Sequence, residues 1–307
     1  MTNIDVKKFI PVAQKIREAV LPFFGSRAGK EITGIASSGD TSFRMDEVAE
    51  RVLREELERL PIPLAYYSED RGFVKLAPDP ECLLIVDPVD GTRPATSGFE
   101  MAVVSIAIAK FREKPLFRDL VAGIVIEIKS GDIFWAEYSS LELPQGKNLA
   151  PSGNTDLTHL FWSFDIVGRP IRPLLGILGD LIQGSAVDGG NFLWNSAAYS
   201  ITRVLTGQLD AYIELGGILL ENLEQAELHF REAGNGRIVG LFPYDIAAAQ
   251  LIAKQGGVVI TDANGNSLDD VPLIPEKDGQ ILSLVASANA ALHEKLVFYI
   301  RRHLVDF

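Results

Sequence analysis

Apolar residues recur at positions 6, 9, 10, 13, 16 and 20, a helical spacing that predicts a first helix over 6–21. A second helix is expected over 46–60, with Val48, Val52, Leu53 and Leu57 on one side and Pro61 as its stop. The run Cys82-Leu83-Leu84-Ile85-Val86 is apolar without alternation, as in a strand buried on both faces. Strands are also expected at 102–110, 121–127 and 133–138, so the first part mixes helices with an antiparallel sheet. From Phe161 onwards strands at 162–167, 210–214, 258–261 and 283–287 alternate with helices at 171–183, 195–206, 246–255 and 288–302. Such alternation predicts a layered α/β half. The stretch 145–157, rich in Pro, Gly, Asn, Ser and Thr, is the expected join between an N-terminal lobe, 1–150, and a C-terminal lobe, 151–307.

The apolar run closes with Asp87-Pro88-Val89-Asp90-Gly91-Thr92. Two Asp three residues apart at a strand terminus can point into one space, where their repulsion requires a hard cation such as Mg²⁺ to offset it. Gly91 permits a tight turn, after which successive N–H groups could receive a phosphate at a helix start. An ordinary Asp-Gly turn between strands would carry the same letters. Other carboxylates also stand at element ends. Asp46 opens a helix, Glu69 and Asp70 follow a short apolar stretch, and Asp245 introduces the alanine-rich segment Ile246–Ala253 before Gly256-Gly257. Asp46 and Asp245 are each accounted for as acids at a helix N-terminus, and Glu69-Asp70 as a solvated loop.

Taken in order, the Asp46 region, Ser68-Glu69-Asp70, Asp87-Pro88-Val89-Asp90-Gly91-Thr92 and Tyr244-Asp245-Ile246-Ala247-Ala248-Ala249 resemble the inositol monophosphatase and fructose-1,6-bisphosphatase superfamily of Mg²⁺-dependent, lithium-sensitive phosphatases. The resemblance implies a layered αβαβα fold of the α+β or α/β class, with two sheets and the active site between lobes. It implies that Glu69, Asp87 and the Val89 carbonyl hold a first Mg²⁺, and that Asp87, Asp90 and Asp245 hold a second, with room for a third ion beside Glu69. Asp46 and the Thr92 hydroxyl would orient and deprotonate the attacking water, and Gly91 and Thr92 would receive the phosphate. Glu214 is implied to hydrogen-bond a substrate hydroxyl, although an exposed Glu at a strand end reads the same way. A homodimer is implied as well.

Two departures bear on the substrate. Arg93-Pro94-Ala95 follows Thr92 where the family continues with a small polar residue, Asn and an aromatic, and Arg93 suits a second phosphate, a carboxylate or plain solvent exposure. About thirty residues separate Glu214 from Asp245, and the segment 218–241 reads as a lid, a specificity wall or a dimer contact, with a helical piece over 221–232.

Composition narrows the classes. A net charge of −12 disfavours nucleic acid and anionic membranes as partners, and the small phosphate ester that the resemblance implies would need local positive charge, which bound divalent cations would supply. The single cysteine, Cys82, rules out an intrachain disulfide. No apolar run is long enough to span a bilayer and no basic-then-apolar leader is present, so a cytoplasmic protein is expected. His159, His229, His293 and His303 lack zinc-ligand spacing. The expected activity is Mg²⁺-dependent hydrolysis of a phosphomonoester, inositol monophosphate first, with fructose-1,6-bisphosphate and adenosine 3′,5′-bisphosphate as alternatives. A non-catalytic ligand-binding or regulatory member of the family is the alternative of another class.

Overall fold

The computed structural model describes residues 5–137, 140–144, 150–277 and 279–304. Tyr138, expected to end a strand, and 145–149 of the expected join lie outside them. In chain order the elements begin with α1 (Ile10–Val20), the hairpin β1 (Ile32–Ile35) and β2 (Thr41–Phe43), and α2 (Arg44–Arg59). Next come β3 (Leu64–Ser68), β4 (Gly72–Lys75), β5 (Cys82–Asp90), α3 (Thr92–Ser97), β6 (Val103–Lys110), β7 (Leu120–Glu127), β8 (Ile133–Glu137) and β9 (Ser140–Glu142). Then follow β10 (Phe161–Phe164), α4 (Ile171–Ser185), β11 (Gly190–Phe192), α5 (Ala197–Leu205) and β12 (Ala211–Glu214). The chain closes with α6 (Gly216–Asn222), α7 (Ala226–Ala233), α8 (Pro243–Gln255), β13 (Val259–Thr261), β14 (Leu284–Ser287) and α9 (Ala290–Leu304).

The expected helices and strands form, with three instructive differences. Residues 6–8 make a separate 3₁₀ turn, and α1 starts at Ile10, where Pro11 in the first turn lacks only an N–H that the helix would leave unpaired. The strand expected to end near Val86 runs on to Asp90, so the acids belong to β5 itself. The helix expected over 221–232 is two helices, broken before α7 by Gln225 in the left-handed region at φ 54°. In the sequence β3 shows only as a short apolar stretch, and β1, β2, β4, β9 and β11 are not among the expected strands; these five hold three or four residues each, most of them not buried, and so carry no apolar run to mark them.

Two main sheets and three helical layers make an αβαβα stack. The larger sheet has strand order β4-β3-β5-β6-β7-β8-β9 and is antiparallel except at β3–β5. The smaller has order β11-β10-β12-β14-β13 and mixes parallel with antiparallel pairs. Period-two alternation sends Cys82, Leu84 and Val86 of β5 into the core under α1 and α2, and Leu83 and Ile85 into the core shared with α5 and α8. Both faces are covered, which explains an apolar run without polar interruptions. That second core continues into the smaller sheet through Trp162, Tyr212 and Val285, and out to Leu178 of α4 and Leu296 of α9.

Helix α8 is the middle layer. Ala247, Ala248, Ala249 and Ala253 are all fully buried, so small side chains face both sheets and let them close on the helix. A Cβ added at Gly123 of β7 would lie 2.8 Å from the Ala248 carbonyl oxygen and 3.0 Å from its Cα. Gly123→Val is therefore expected to lose about 1–3 kcal/mol by overpacking, read as a lower denaturant midpoint. An unchanged midpoint would mean that β7 and α8 are not packed this closely.

Candidate active site

Carboxyl ends of β3, β5 and β10 and amino ends of α2, α5 and α8 converge on one cleft, the usual place for ligands in layered α/β folds. The first acids arrive through an irregularity in β5. Asp87 opposes Ser105 and Asp90 opposes Val103 on β6, so three steps along β5 match two on its neighbour. That one-residue bulge encloses Pro88, which has no N–H to give a ladder. In a regular strand residues three apart face opposite sides, whereas here Asp87 and Asp90 turn toward one space. Gly91 then takes φ 92°, and a Cβ on it would lie 2.4 Å from the Met101 carbonyl and 2.9 Å from Ser196 Cβ. Only glycine fits this backbone and this gap.

Asp46 and Asp245 occupy the same position in different helices, the third residue of α2 and of α8. Asp46 Oδ2 accepts the Phe43 N–H at 2.8 Å, and Asp245 Oδ2 accepts the Phe242 N–H at 2.6 Å. The capping role and a role in the cleft coexist, because one oxygen caps the helix and the other is left for chemistry. The Thr92 hydroxyl lies 2.7 Å from Asp46 Oδ1 and 3.0 Å from the Val89 carbonyl. Asp87 Oδ1 accepts the Val89 N–H at 3.0 Å. Asp90 Oδ2 accepts the Ser196 hydroxyl and the Ala198 N–H, both at 2.7 Å, so the start of α5 grips the end of β5.

Asp87, Asp90 and Asp245 each offer an oxygen within 4.8 Å of the others. Glu69, directly after β3, lines the same cleft outside that trio. Burial raises all of these acids, and neighbouring carboxylates add to it: Glu69, Asp87 and Asp245 stand well above the usual range, and Asp90 is pushed up to about 7. Asp46 is raised to about 7 by burial, partly offset by the hydrogen bonds from Phe43 and Thr92. Close, buried carboxylates that hold free oxygens and repel one another match the donor set of a hard divalent cation.

The remaining residues singled out by sequence are placed as follows. Gly91, Thr92 and Arg93 line the cleft, and Arg93 meets Asp40 in a two-pronged ion pair of 3.0 and 2.7 Å. Although burial alone would raise Asp40, Arg93 holds it below the usual carboxylate range. Glu214 is fully buried and does not line the cleft; Arg169 Nε and Nη2 reach its two oxygens at 3.0 and 2.8 Å, and the Gly216 N–H donates to it at 2.6 Å. A carboxylate this buried needs a paired cation, which neither of its two sequence readings supplied. The 218–241 segment returns along the cleft, where Val239, Gly240 and Leu241 form a wall. Sequence reasoning missed Asp40, Asp165, Arg169 and the contact of Ser196 with Asp90; of these only Ser196, a Ser directly before a helix, carried a local signal.

Acids whose folded-state pKa is raised bind protons that the unfolded chain releases, so they stabilise the fold at low pH and that stability is lost as pH rises through their folded values. Without divalent cations the melting temperature is expected to fall between about pH 5 and pH 8, and the gain on adding Mg²⁺ to be larger at the higher pH. Scanning fluorimetry in chelator and in Mg²⁺ reads this; an equal gain at both values would dissociate the cluster from cation binding.

Over residues 1–304 the sequence matches the inositol monophosphatase family. It is 26% identical over 294 residues to a fructose-1,6-bisphosphatase/inositol-1-monophosphatase of Methanothermobacter thermautotrophicus, covering 94% of this chain and 93% of that one. A bifunctional NADP phosphatase/NAD kinase of Methanocaldococcus jannaschii is 27% identical over 312 residues, 93% of this chain and 48% of that one. Among solved structures, the Thermotoga maritima IMPase shares the fold with a TM-score of 0.69 at 18% identity, covering 98% of each chain.

Proposed function

The chain belongs to the inositol monophosphatase family of phosphatases, and from that premise we propose that it is a Mg²⁺-dependent phosphomonoesterase acting on a small soluble ester, with inositol monophosphate the first substrate. The observation that carries the reading is the approach of Asp87, Asp90 and Asp245 within 4.8 Å in the cleft that also holds the Asp46–Thr92 pair. Glu69, Asp87 and the Val89 carbonyl would hold one ion, and Asp87, Asp90 and Asp245 a second, with space for a third beside Glu69. Bound Mg²⁺ would neutralise phosphate oxygens and lower the pKa of the attacking water.

The chain's own groups divide the remaining work. Asp46 accepts the proton of that water, and the Thr92 hydroxyl, 2.7 Å away, fixes the carboxylate that receives it. The bulge and Gly91 hold the backbone at the start of α3 for the phosphate. Attack by water makes a covalent enzyme intermediate unnecessary.

A second reading, a bisphosphate substrate, draws on the named activity of the Methanothermobacter relative, whereas the engagement of Arg93 by Asp40 weighs against it. A homodimer, which the family resemblance implies, and a cytoplasmic location belong to the same proposal. No helix among the described residues is long and apolar enough to cross a membrane.

Phosphate release over inositol monophosphate, fructose-1,6-bisphosphate, adenosine 3′,5′-bisphosphate and NADP, with and without Mg²⁺, tests the proposal. Asp90→Asn should lower kcat by several orders of magnitude while circular dichroism stays native, because the amide oxygen still accepts from α5. Near-normal turnover by that variant would remove Asp90 from the chemistry.

A further inference from the structure

The wall facing the acids is built by the loop after β10 and by the turn into α5, both from the C-terminal half. Asp165 lines it at 8% exposure. Its Oδ2 accepts the Tyr212 hydroxyl at 2.7 Å, and its Oδ1 accepts the Asn195 N–H at 3.1 Å. Tyr212 is wholly buried, and Asn195 is held in the left-handed region at φ 51°, so the carboxylate is fixed by groups set for that purpose. Each of its oxygens keeps acceptor capacity.

Arg169 lines the same wall with its side chain 5% exposed. Glu214 holds Nε and Nη2, and Nη1 donates to the Val167 carbonyl. A guanidinium has five N–H donors, so those three contacts leave donors for a ligand. A fixed acceptor and a fixed donor therefore share one wall.

Charge decides what they suit. Arg93 and Arg169 are the cations among the described residues lining the cleft, and each is matched by a carboxylate, Asp40 and Glu214. Asp165 then leaves this wall with excess negative charge, which repels a second phosphate and accepts hydrogen bonds from hydroxyl groups.

We propose that Asp165 and Arg169 read the hydroxyl groups of the leaving alcohol, with Glu214 as the positioning residue that sets Arg169, so that the cleft prefers the monophosphate of a neutral polyol or sugar to a bisphosphate. This rests on the phosphomonoesterase reading of the same site. It moves the hydroxyl-reading role from Glu214, which is buried behind Arg169, to two residues that reach the cleft. A hydroxyl donates to Asp165 and accepts from Arg169, and an alcohol lacking it leaves both desolvated and unpaired.

The test compares kcat/KM for myo-inositol monophosphate, p-nitrophenyl phosphate, whose leaving group carries no further hydroxyl, and fructose-1,6-bisphosphate. The native protein is expected to favour the inositol ester over both. In Asp165→Asn and in Arg169→Lys the ratio of inositol ester to p-nitrophenyl ester should fall about ten- to a hundredfold, and Glu214→Gln should lower it chiefly through KM. Arg169→Lys keeps a charge beside Glu214, so it reports even where Asp165→Asn does not fold. Parallel losses on both esters, an unchanged ratio in a folded variant, or a native preference for the bisphosphate would overturn this proposal while leaving the phosphatase reading intact. Absence of phosphate release from every ester would sink both.

Discussion

Mutual repulsion among buried carboxylates is the constraint on which this structure turns. Asp46, Glu69, Asp87, Asp90 and Asp245 line one cleft, burial raises every one of them, and neighbouring acids add to it in each case. Left to itself such a cluster favours protonation or separation. The fold holds it in place by giving several members a backbone N–H: Phe43 for Asp46, Val89 for Asp87, Ala198 for Asp90 and Phe242 for Asp245. Those bonds fix one oxygen and leave the carboxylate aimed into the cleft. The repulsion that remains is what a bound divalent cation would relieve, so the site is strained in proportion to its use.

The layers exist to bring these groups together. Helix α8 carries Asp245 and lies between the sheets on alanines, close enough that its backbone nearly touches Gly123 of β7. Helix α5 binds the end of β5 through Ser196 and Ala198, so acids drawn from widely separated parts of the chain share a rigid frame. A loop-borne site would lack this fixity, and ligand geometry for a small hard ion tolerates little displacement.

The cations of the cleft follow a different rule. Arg93 and Arg169 each face a carboxylate in two-pronged contact, the first at the mouth and the second in the buried wall. Pairing fixes the direction of their remaining donors, and although Arg169 still lowers Asp245, burial and neighbouring acids keep that carboxyl well above its usual range. An acidic protein can thus receive an anionic ester only where its own cations, or bound metal, alter the local charge.

The longer elements were legible in the residues: α1, α2 and α5 by the helical spacing of their apolar positions, and α4, α8, α9, β5, β6 and β7 as apolar segments. The order of acids that marks the family was equally plain, because Asp87 to Thr92 and Asp245 to Ala249 are local strings. Strands such as β2, β9 and β11 escaped notice because they are short and mostly not buried, so no apolar run marks them. The partners of Glu214 and Arg93 escaped for another reason. Arg169 lies 45 residues from Glu214, and Asp40 lies 53 from Arg93, with no rule of spacing to join them. Sequence by itself therefore determined the layered class, the family and the acids, since each is written in contiguous residues; only the tertiary structure decided which charges meet, because ion pairing across the chain depends on where the packed layers bring distant side chains.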